Sequence, residues 1–213
     1  DVLAAYNAAL NGASTPTNTP IPPTATSTPI PPTPTNTPVP PTPTNTATPA
    51  SAILYADGFE SGNLAAWSAV GGNAARLSVA AAARQTGGFG LQAAITSGAS
   101  GYVVDNSPTL EVNYHARFYF HPNGAAINSS VQDIFVGRNA GNQMVFSIQV
   151  RRSGGAYQVR SLVSRKGGAT TSNWYTITNS YHAMEIAWQS ATNASSQLYI
   201  DGALKQTLNK LNT

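Results

Sequence analysis

Hydrophobic and polar residues alternate along much of the chain after residue 51, with the two-residue period of β-strands. In the segment 110–120, every second residue from Val112 to Phe120 is apolar, and the residues between them are polar or tyrosine. The segment 143–151 repeats this alternation from Met144 to Val150. Shorter runs of the same kind occupy 131–137, 157–165, 182–189 and 197–201. The pattern predicts a series of short β-strands, each with one buried and one exposed face.

Glycine-containing segments separate these runs, at 153–155 (Ser-Gly-Gly), 166–168 (Lys-Gly-Gly) and 201–202 (Asp-Gly). Short segments of this composition are typical of tight β-hairpin turns, because glycine and aspartate accept the positive φ values that these turns require. No segment has a helical period of comparable strength. We therefore predict an all-β domain over 51–213, an antiparallel jelly-roll sandwich.

A different pattern fills residues 15–50, where nine-residue units start at Thr15, Thr24, Thr33 and Thr42. Because 13 of the 15 prolines in the chain fall in this tract, we expect an extended polyproline II stalk, about 110 Å long at about 3.1 Å per residue. Threonine mixed with proline is typical of O-glycosylated stalks, although an unmodified disordered linker has the same composition. The candidate glycosylation sites are Thr15, Thr17, Thr19, Thr24, Thr26, Thr28, Thr33, Thr35, Thr37, Thr42, Thr44, Thr46 and Thr48.

The segment 1–14 precedes the stalk and carries Leu3, Tyr6 and Leu10 at helical spacing, followed by Asn11 and Gly12 as a stop. A short helix is expected there, and a frayed terminus is the alternative. The start of the chain has no basic region followed by an apolar core, so we interpret it as a mature or excerpted chain.

Composition limits the chemistry that the chain can perform. It has no cysteine, which excludes a disulfide framework and a thiol nucleophile. Only 9% of residues are charged and the formal net charge is +3, so the composition does not indicate a nucleic-acid partner. No apolar run approaches the roughly 18–20 residues that a membrane-spanning helix needs, and we expect no membrane span.

Three segments, LYADGFESGNLAAWS (54–68), YHAMEIAWQ (181–189) and LYIDGALKQTLNKLNT (198–213), resemble the laminin G-like, concanavalin A-like jelly rolls of bacterial surface proteins. In Chloroflexota-type surface proteins such domains are often carried on Thr/Pro-rich repeats. The resemblance implies a jelly roll at an extracellular bacterial surface. It also implies a structural calcium ion near the start of the domain, where Asp57 and Glu60 match part of the ligand pattern. Relatives usually continue with one or two further strands, so we expect a sheet with an open edge.

Motifs for catalysis are missing from the sequence. There is no G-x-S-x-G elbow and no H-E-x-x-H, and no two carboxylates lie at i, i+2 on one strand as related hydrolases require. The three histidines, His115, His121 and His182, are too scattered to predict a metal site. We therefore expect a protein that is not an enzyme and needs no cofactor, apart from the possible calcium ion.

Polar and aromatic side chains on the outward positions of one sheet are candidates for contact with a glycan, through stacking and bidentate hydrogen bonds. A solvated sheet face with cross-strand charge pairs is the alternative. Trp67 and Trp188 are expected to be core or loop anchors instead. The candidates, expected in a single sheet, are His115, Arg117, Tyr119, Gln149, Arg151, Arg160, Trp174 and Glu185.

These expectations combine into a non-catalytic structural or adhesive protein of the bacterial surface, self-associating as an O-glycosylated filament subunit. An unfilled sheet edge would accept a strand from a neighbouring chain, with residues 51–56 or 2–10 as the candidate donors. A carbohydrate-binding module of a larger secreted protein or enzyme is the alternative, and glycans are then the partners.

Overall fold

The computed structural model describes residues 53–95, 100–107, 109–127 and 130–213. The chain divides into two units, Asp1–Pro49 and Ala50–Thr213, and all described residues belong to the second. The predicted helix in 1–14, the predicted stalk with its candidate threonines, and the candidate donor 2–10 lie outside the described residues. Of the other candidate donor, only 53–56 is described.

The described residues form thirteen β-strands and two three-residue 3-10 helices, Ala74–Arg76 and Ala81–Ala83. The strands are β1 (Ala69–Gly72), β2 (Leu77–Ala80), β3 (Gly90–Ala93), β4 (Gly101–Val104), β5 (Asn113–Phe120), β6 (Gln132–Arg138), β7 (Met144–Ser153), β8 (Ala156–Arg165), β9 (Gly168–Thr171), β10 (Tyr175–Ile177), β11 (His182–Gln189), β12 (Ala194–Ile200) and β13 (Ala203–Leu211). None of the helices in the described ranges could cross a membrane. The prediction of an antiparallel all-β domain is confirmed.

Two larger sheets contain the long strands. A five-stranded sheet has the order β10-β8-β7-β6, and β9 also pairs with β8. A four-stranded sheet has the order β13-β12-β11-β5, and all pairs in both sheets are antiparallel. β1 with β4 and β2 with β3 form two separate two-stranded ribbons.

The predicted turns connect neighbouring strands of these sheets. Gly154 and Gly155 both have positive φ and join β7 to β8, where Ser153 pairs with Ala156. Asp201 and Gly202 join β12 to β13 in the same way, with φ values of 54° and 74°. Positive φ at both central residues is the requirement of a type I′ turn, whose twist matches that of the flanking strands. These turns therefore fix the register of two hairpins.

The inner faces of the two sheets contact each other through aromatic rings. Phe118 of β5 stacks on Phe135 of β6 with 5.2 Å between ring centroids, and Phe146 of β7 lies 5.5 Å from Trp188 of β11. Aliphatic residues such as Ile148 are completely buried around them. Burial of one such side chain stabilises the fold by roughly 1.5–3 kcal/mol. The core thus holds the two sheets together and leaves the alternate residues of each strand on the outer faces.

Within the described residues, the outer strands of the two large sheets, β5, β13, β6, β9 and β10, have a pairing partner on one side only. Ile53 and Leu54, which precede the first strand, are 81% and 66% exposed. An apolar segment and unpaired strand edges therefore occur together in this domain.

Candidate functional site

The eight residues predicted to contact a glycan divide between the two large sheets. This differs from the expectation that they share one sheet, because β5 pairs with β11 whereas β7 pairs with β8 in the other sheet. The outer face of the four-stranded sheet carries His115, Arg117, Tyr119 and Glu185. The outer face of the five-stranded sheet carries Gln149, Arg151, Arg160 and, directly before β10, Trp174.

Two basic side chains on the four-stranded sheet, His115 and Arg117, lie beside one carboxylate. Glu185 Oε2 lies 3.3 Å from His115 Nε2, and Glu185 Oε1 lies 3.6 Å from Arg117 Nε. Arg117 also donates to the Tyr119 hydroxyl at 3.3 Å. Opposite charges on neighbouring strands are an ordinary stabilising feature of antiparallel sheets. This cluster resembles the solvated face with cross-strand charge pairs, since Arg117 already has an anionic partner.

A row of polar side chains crosses the five-stranded sheet. Asp133 pairs with Gln149, Gln149 pairs with Arg160, and Trp174 follows at the end of the row. The side chains are joined as well: Gln149 Nε2 donates to Asp133 Oδ1 at 2.9 Å, and Arg160 Nε donates to Gln149 Oε1 at 2.8 Å. On the neighbouring row, Arg151 Nε donates to Gln158 Oε1 at 2.9 Å. We call these six residues the arginine–tryptophan cluster.

Both guanidinium groups of the cluster lie over the ring of Trp174. The Arg151 Cζ atom is 4.1 Å from the ring centroid and the Arg160 Cζ atom is 4.4 Å from it. Burial lowers the pKa of Arg160, the nearby charge of Arg151 lowers it further, and Asp133 acts in the opposite direction. Two like charges are therefore held close to one indole, where each gains a cation–π interaction of about 0.5–2 kcal/mol.

Within the described ranges, the Nη groups of Arg151 and Arg160 form no side-chain hydrogen bond. Among the described residues, neither arginine forms a salt bridge, and their side-chain hydrogen bonds are the two Nε contacts to glutamine. The Nη groups of a guanidinium form a planar fork that matches carboxylate, sulfate and phosphate oxygens. The cluster can therefore donate several hydrogen bonds to an oxygen-rich ligand.

The predicted calcium ligands Asp57 and Glu60 are instead occupied by protein donors. Asp57 accepts from the backbone N–H of Phe59 at 2.8 Å and from the indole N–H of Trp67 at 2.7 Å. Glu60 accepts from the backbone N–H groups of Gly88 at 2.8 Å and Phe89 at 3.3 Å. In the described parts of the chain, no group of three histidine, aspartate or glutamate side chains lies together as a metal site would require. The carboxylates of Asp57 and Glu60 are thus engaged by N–H donors, and two carboxylates alone supply fewer than the six to eight oxygen ligands that calcium takes.

A hydroxyl–imidazole–carboxylate series lies at the turn between β10 and β11. His182 Nδ1 is 2.7 Å from Asp201 Oδ2, and His182 Nε2 is 2.8 Å from the Thr178 hydroxyl. Hydrolases use this order of groups, with the imidazole as base. Here, however, the backbone N–H of Thr178 also donates to His182 Nε2 at 3.1 Å, so the lone pair that would accept the hydroxyl proton is already engaged. The geometry supports a turn held by local hydrogen bonds.

Two members of the arginine–tryptophan cluster, Asp133 and Gln158, were not among the site residues predicted from the sequence. Gln158 could have been found from the hairpin turn at 154–155, because this turn fixes the pairing of Arg151 with Gln158. Asp133 depends on the pairing of β6 with β7, which includes a bulge between Asp133 and Phe135. That irregularity leaves no regular period in the sequence from which the position could be read.

Comparisons with models of protein families, with curated proteins and with solved structures found no match.

Proposed function

We propose that the chain is a non-catalytic adhesive protein of the bacterial surface whose β domain binds glycans at the arginine–tryptophan cluster. In this proposal the domain is a jelly roll of the laminin G-like type, and the Thr/Pro-rich tract is an O-glycosylated stalk that holds it away from the surface. The localisation and the stalk rest on the composition and on the resemblance of the sequence to such proteins.

The observation that carries the proposal is the row of Asp133, Gln149 and Arg160 across three strands, ending at Trp174 directly before β10, with Arg151 beside it. Gln149 is buried and both ends of its amide bind within the row, so the guanidinium groups of the two arginines are the donors offered to sugar oxygens. The cluster on the four-stranded sheet is a weaker candidate, because Arg117 already has a carboxylate partner in Glu185. The two outer-face carboxylates, Asp133 and Glu185, lie on different sheets, which argues against glycoside hydrolysis by a carboxylate pair.

Glycan binding by the full chain tests the proposal, using an array of neutral and acidic polysaccharides. We expect Trp174→Ala to reduce binding at least about tenfold, because both guanidinium groups lose the surface that positions them. Tyr119→Ala is the matched control: it removes a half-exposed aromatic ring from the other sheet and should leave binding unchanged. Absence of binding to any glycan, or loss of binding in the Tyr119 variant alone, would contradict the proposal.

A filament subunit is the second candidate function. The observation that favours it is the coexistence of unpaired edges, such as β6 with its apolar residues Ile134–Val136, and the exposed Ile53 and Leu54. A strand from one chain that pairs with the edge of the next generates a filament unless the rotation closes. Sedimentation of the full chain over a range of concentrations checks this idea, and a monomer throughout would reject it.

A further inference from the structure

We propose that the arginine–tryptophan cluster selects sugars that carry an oxyanion, either the carboxylate of a uronic acid or a sulfate ester. This inference rests on the proposed glycan-binding function and narrows its ligand class. Neutral sugars are expected to bind this site poorly. Three features of the cluster lead to this conclusion.

The first feature is that the two guanidinium groups already lie over the Trp174 ring. Neutral sugars are commonly bound by stacking their C–H groups on an open aromatic face. Trp174 is only partly exposed, and guanidinium carbons lie 4.1 Å and 4.4 Å from its centroid. A sugar ring that stacked on the indole would compete with these cations for its faces. The ring therefore positions the arginines, and the arginines are the groups offered to the ligand.

The second feature is the charge balance. Arg151 and Arg160 form no salt bridge among the described residues, and Asp133 reaches Arg160 only through the amide of Gln149. Their mutual repulsion is left uncompensated by a direct carboxylate partner. An oxyanion placed between or above the two guanidinium groups would relieve it. On the opposite sheet Arg117 already has a carboxylate partner in Glu185, so this arginine does not need the anion of a ligand.

The third feature is the orientation of the guanidinium groups. Glutamine oxygens hold the Nε atom of each arginine, Gln158 for Arg151 and Gln149 for Arg160. With Nε and one ring contact fixed, each guanidinium plane has little freedom, and the Nη atoms remain for the ligand. Bidentate pairing of a fixed fork with an oxyanion is stronger than a hydrogen bond to a neutral hydroxyl, and less ordering entropy is lost.

The test measures the affinity of the full chain for polygalacturonate and for dextran sulfate by titration calorimetry. Methyl-esterified polygalacturonate and unmodified dextran are the neutral counterparts, and the two acidic polymers distinguish carboxylate from sulfate. The key variant is Arg151→Gln with Arg160→Gln. Its matched control is Arg138→Gln with Arg165→Gln, which makes the same change of charge in the same sheet at exposed arginines whose hydrogen bonds are local. Thermal melting of each variant verifies that it is folded.

We expect at least one acidic polymer to bind at least about tenfold more tightly than its neutral counterpart. The key variant should lose this preference, and the control should stay within about twofold of the original chain, because exposed charges away from the site are screened. Each pair of substitutions removes two positive charges from a net charge of +3, so general attraction to polyanions is the same for the two variants and does not produce a difference between them.

Two results would overturn the inference: equal affinity for acidic and neutral polymers, or equal losses in the two doubly substituted chains. If a neutral glycan binds and Trp174→Ala abolishes that binding, the proposed function stands and the acidic ligand class is wrong. If no glycan of either kind binds, the proposed function itself is wrong.

Discussion

Removal of the Asp57 carboxylate tests whether the start of the β domain is held by hydrogen bonds or by a metal ion. Asp57 accepts from the Phe59 N–H and the Trp67 indole, and Phe59 in turn stacks on Trp67 with centroids 5.8 Å apart. Phe59 has a φ of 62°, a left-handed conformation that these contacts hold in place. The carboxylate therefore connects a strained turn to an aromatic ring ten residues later.

The expected cost follows from these two bonds. A hydrogen bond to a charged group contributes about 1.5–3 kcal/mol when buried, and partial exposure of this site reduces the sum for Asp57→Ala to about 2–3 kcal/mol. For a domain of this size, that corresponds to a fall in Tm of roughly 4–12 °C. Asp57→Asn should also lower the Tm, because an amide has one acceptor oxygen and presents its own N–H group to the second N–H donor.

Thermal unfolding followed by circular dichroism, with added calcium and with a chelator, measures the effect. Asp105→Ala is the control, since its carboxylate accepts from Ser107 N–H at 3.1 Å in an exposed local turn and should cost less than about 1 kcal/mol. We expect neither calcium nor chelator to change the Tm of the original chain. A calcium-dependent rise in Tm that Asp57→Ala removes would refute the hydrogen-bond explanation.

Two further predictions concern stability. Partial burial raises the pKa of Asp201, but hydrogen bonds from His182 and the Ala183 N–H outweigh it and hold that pKa below its usual value. Asp201 therefore stabilises the fold above its unfolded pKa of about 4, and this stabilisation is lost as the pH falls through the lower folded pKa. We expect Asp201→Asn to flatten the fall of the urea midpoint in acid. The difference in the free energy of unfolding should be less than about 1 kcal/mol, because the Asp201 side chain is 53% exposed. Gly137→Ala should lower the free energy of unfolding by about 1–3 kcal/mol, because a Cβ there would lie 2.3 Å from the Phe146 ring. Gly141→Ala is its control in urea unfolding, because a Cβ there would meet the ends of two side chains, Asn139 at 3.3 Å and Gln143 at 3.8 Å. Equal effects of the two substitutions would contradict this explanation.

The strands with strong alternation were predictable, and the short ribbons were not. In β5, exposed and partly buried residues alternate, so the period of two identifies both the strand and its inner face. In β7 the period identifies the strand, but residues 146–150 are all buried, including the polar Ser147 and Gln149, so the expected exposed face is wrong there. β1 and β2 have four residues each and consist mostly of alanine, glycine and valine. Because these side chains are similar in size and polarity, the sequence does not indicate which face of each strand is buried. Their pairing with β4 and β3 depends on contacts that are distant in sequence, which no local pattern contains.

For the candidate site, alternation predicts which residues point outward, but it does not assign them to a sheet. Arg117 and Arg151 both occupy polar positions of strong strands, and only the pairing of β5 with β11 places Arg117 in the other sheet beside Glu185. The position of Trp174 depends on β10, which pairs with the first half of β8 after β9 has paired with the second half. The sequence therefore supplied the types of residue in the site, and the order of the strands decided which of them meet.

The same register that buries the core also holds the arginine–tryptophan cluster. Ile148 and Val159 are fully buried, and Gln149 and Arg160 are the next residues on the same two strands. A slip of β8 by one residue would place Val159 on the outer face and Arg160 in the core, at a cost of several kcal/mol. The donors of the cluster are thus fixed by two paired strands whose neighbouring residues form the buried core. Because little ordering remains to be done when a ligand arrives, a small set of hydrogen bonds to one oxyanion can provide selective binding.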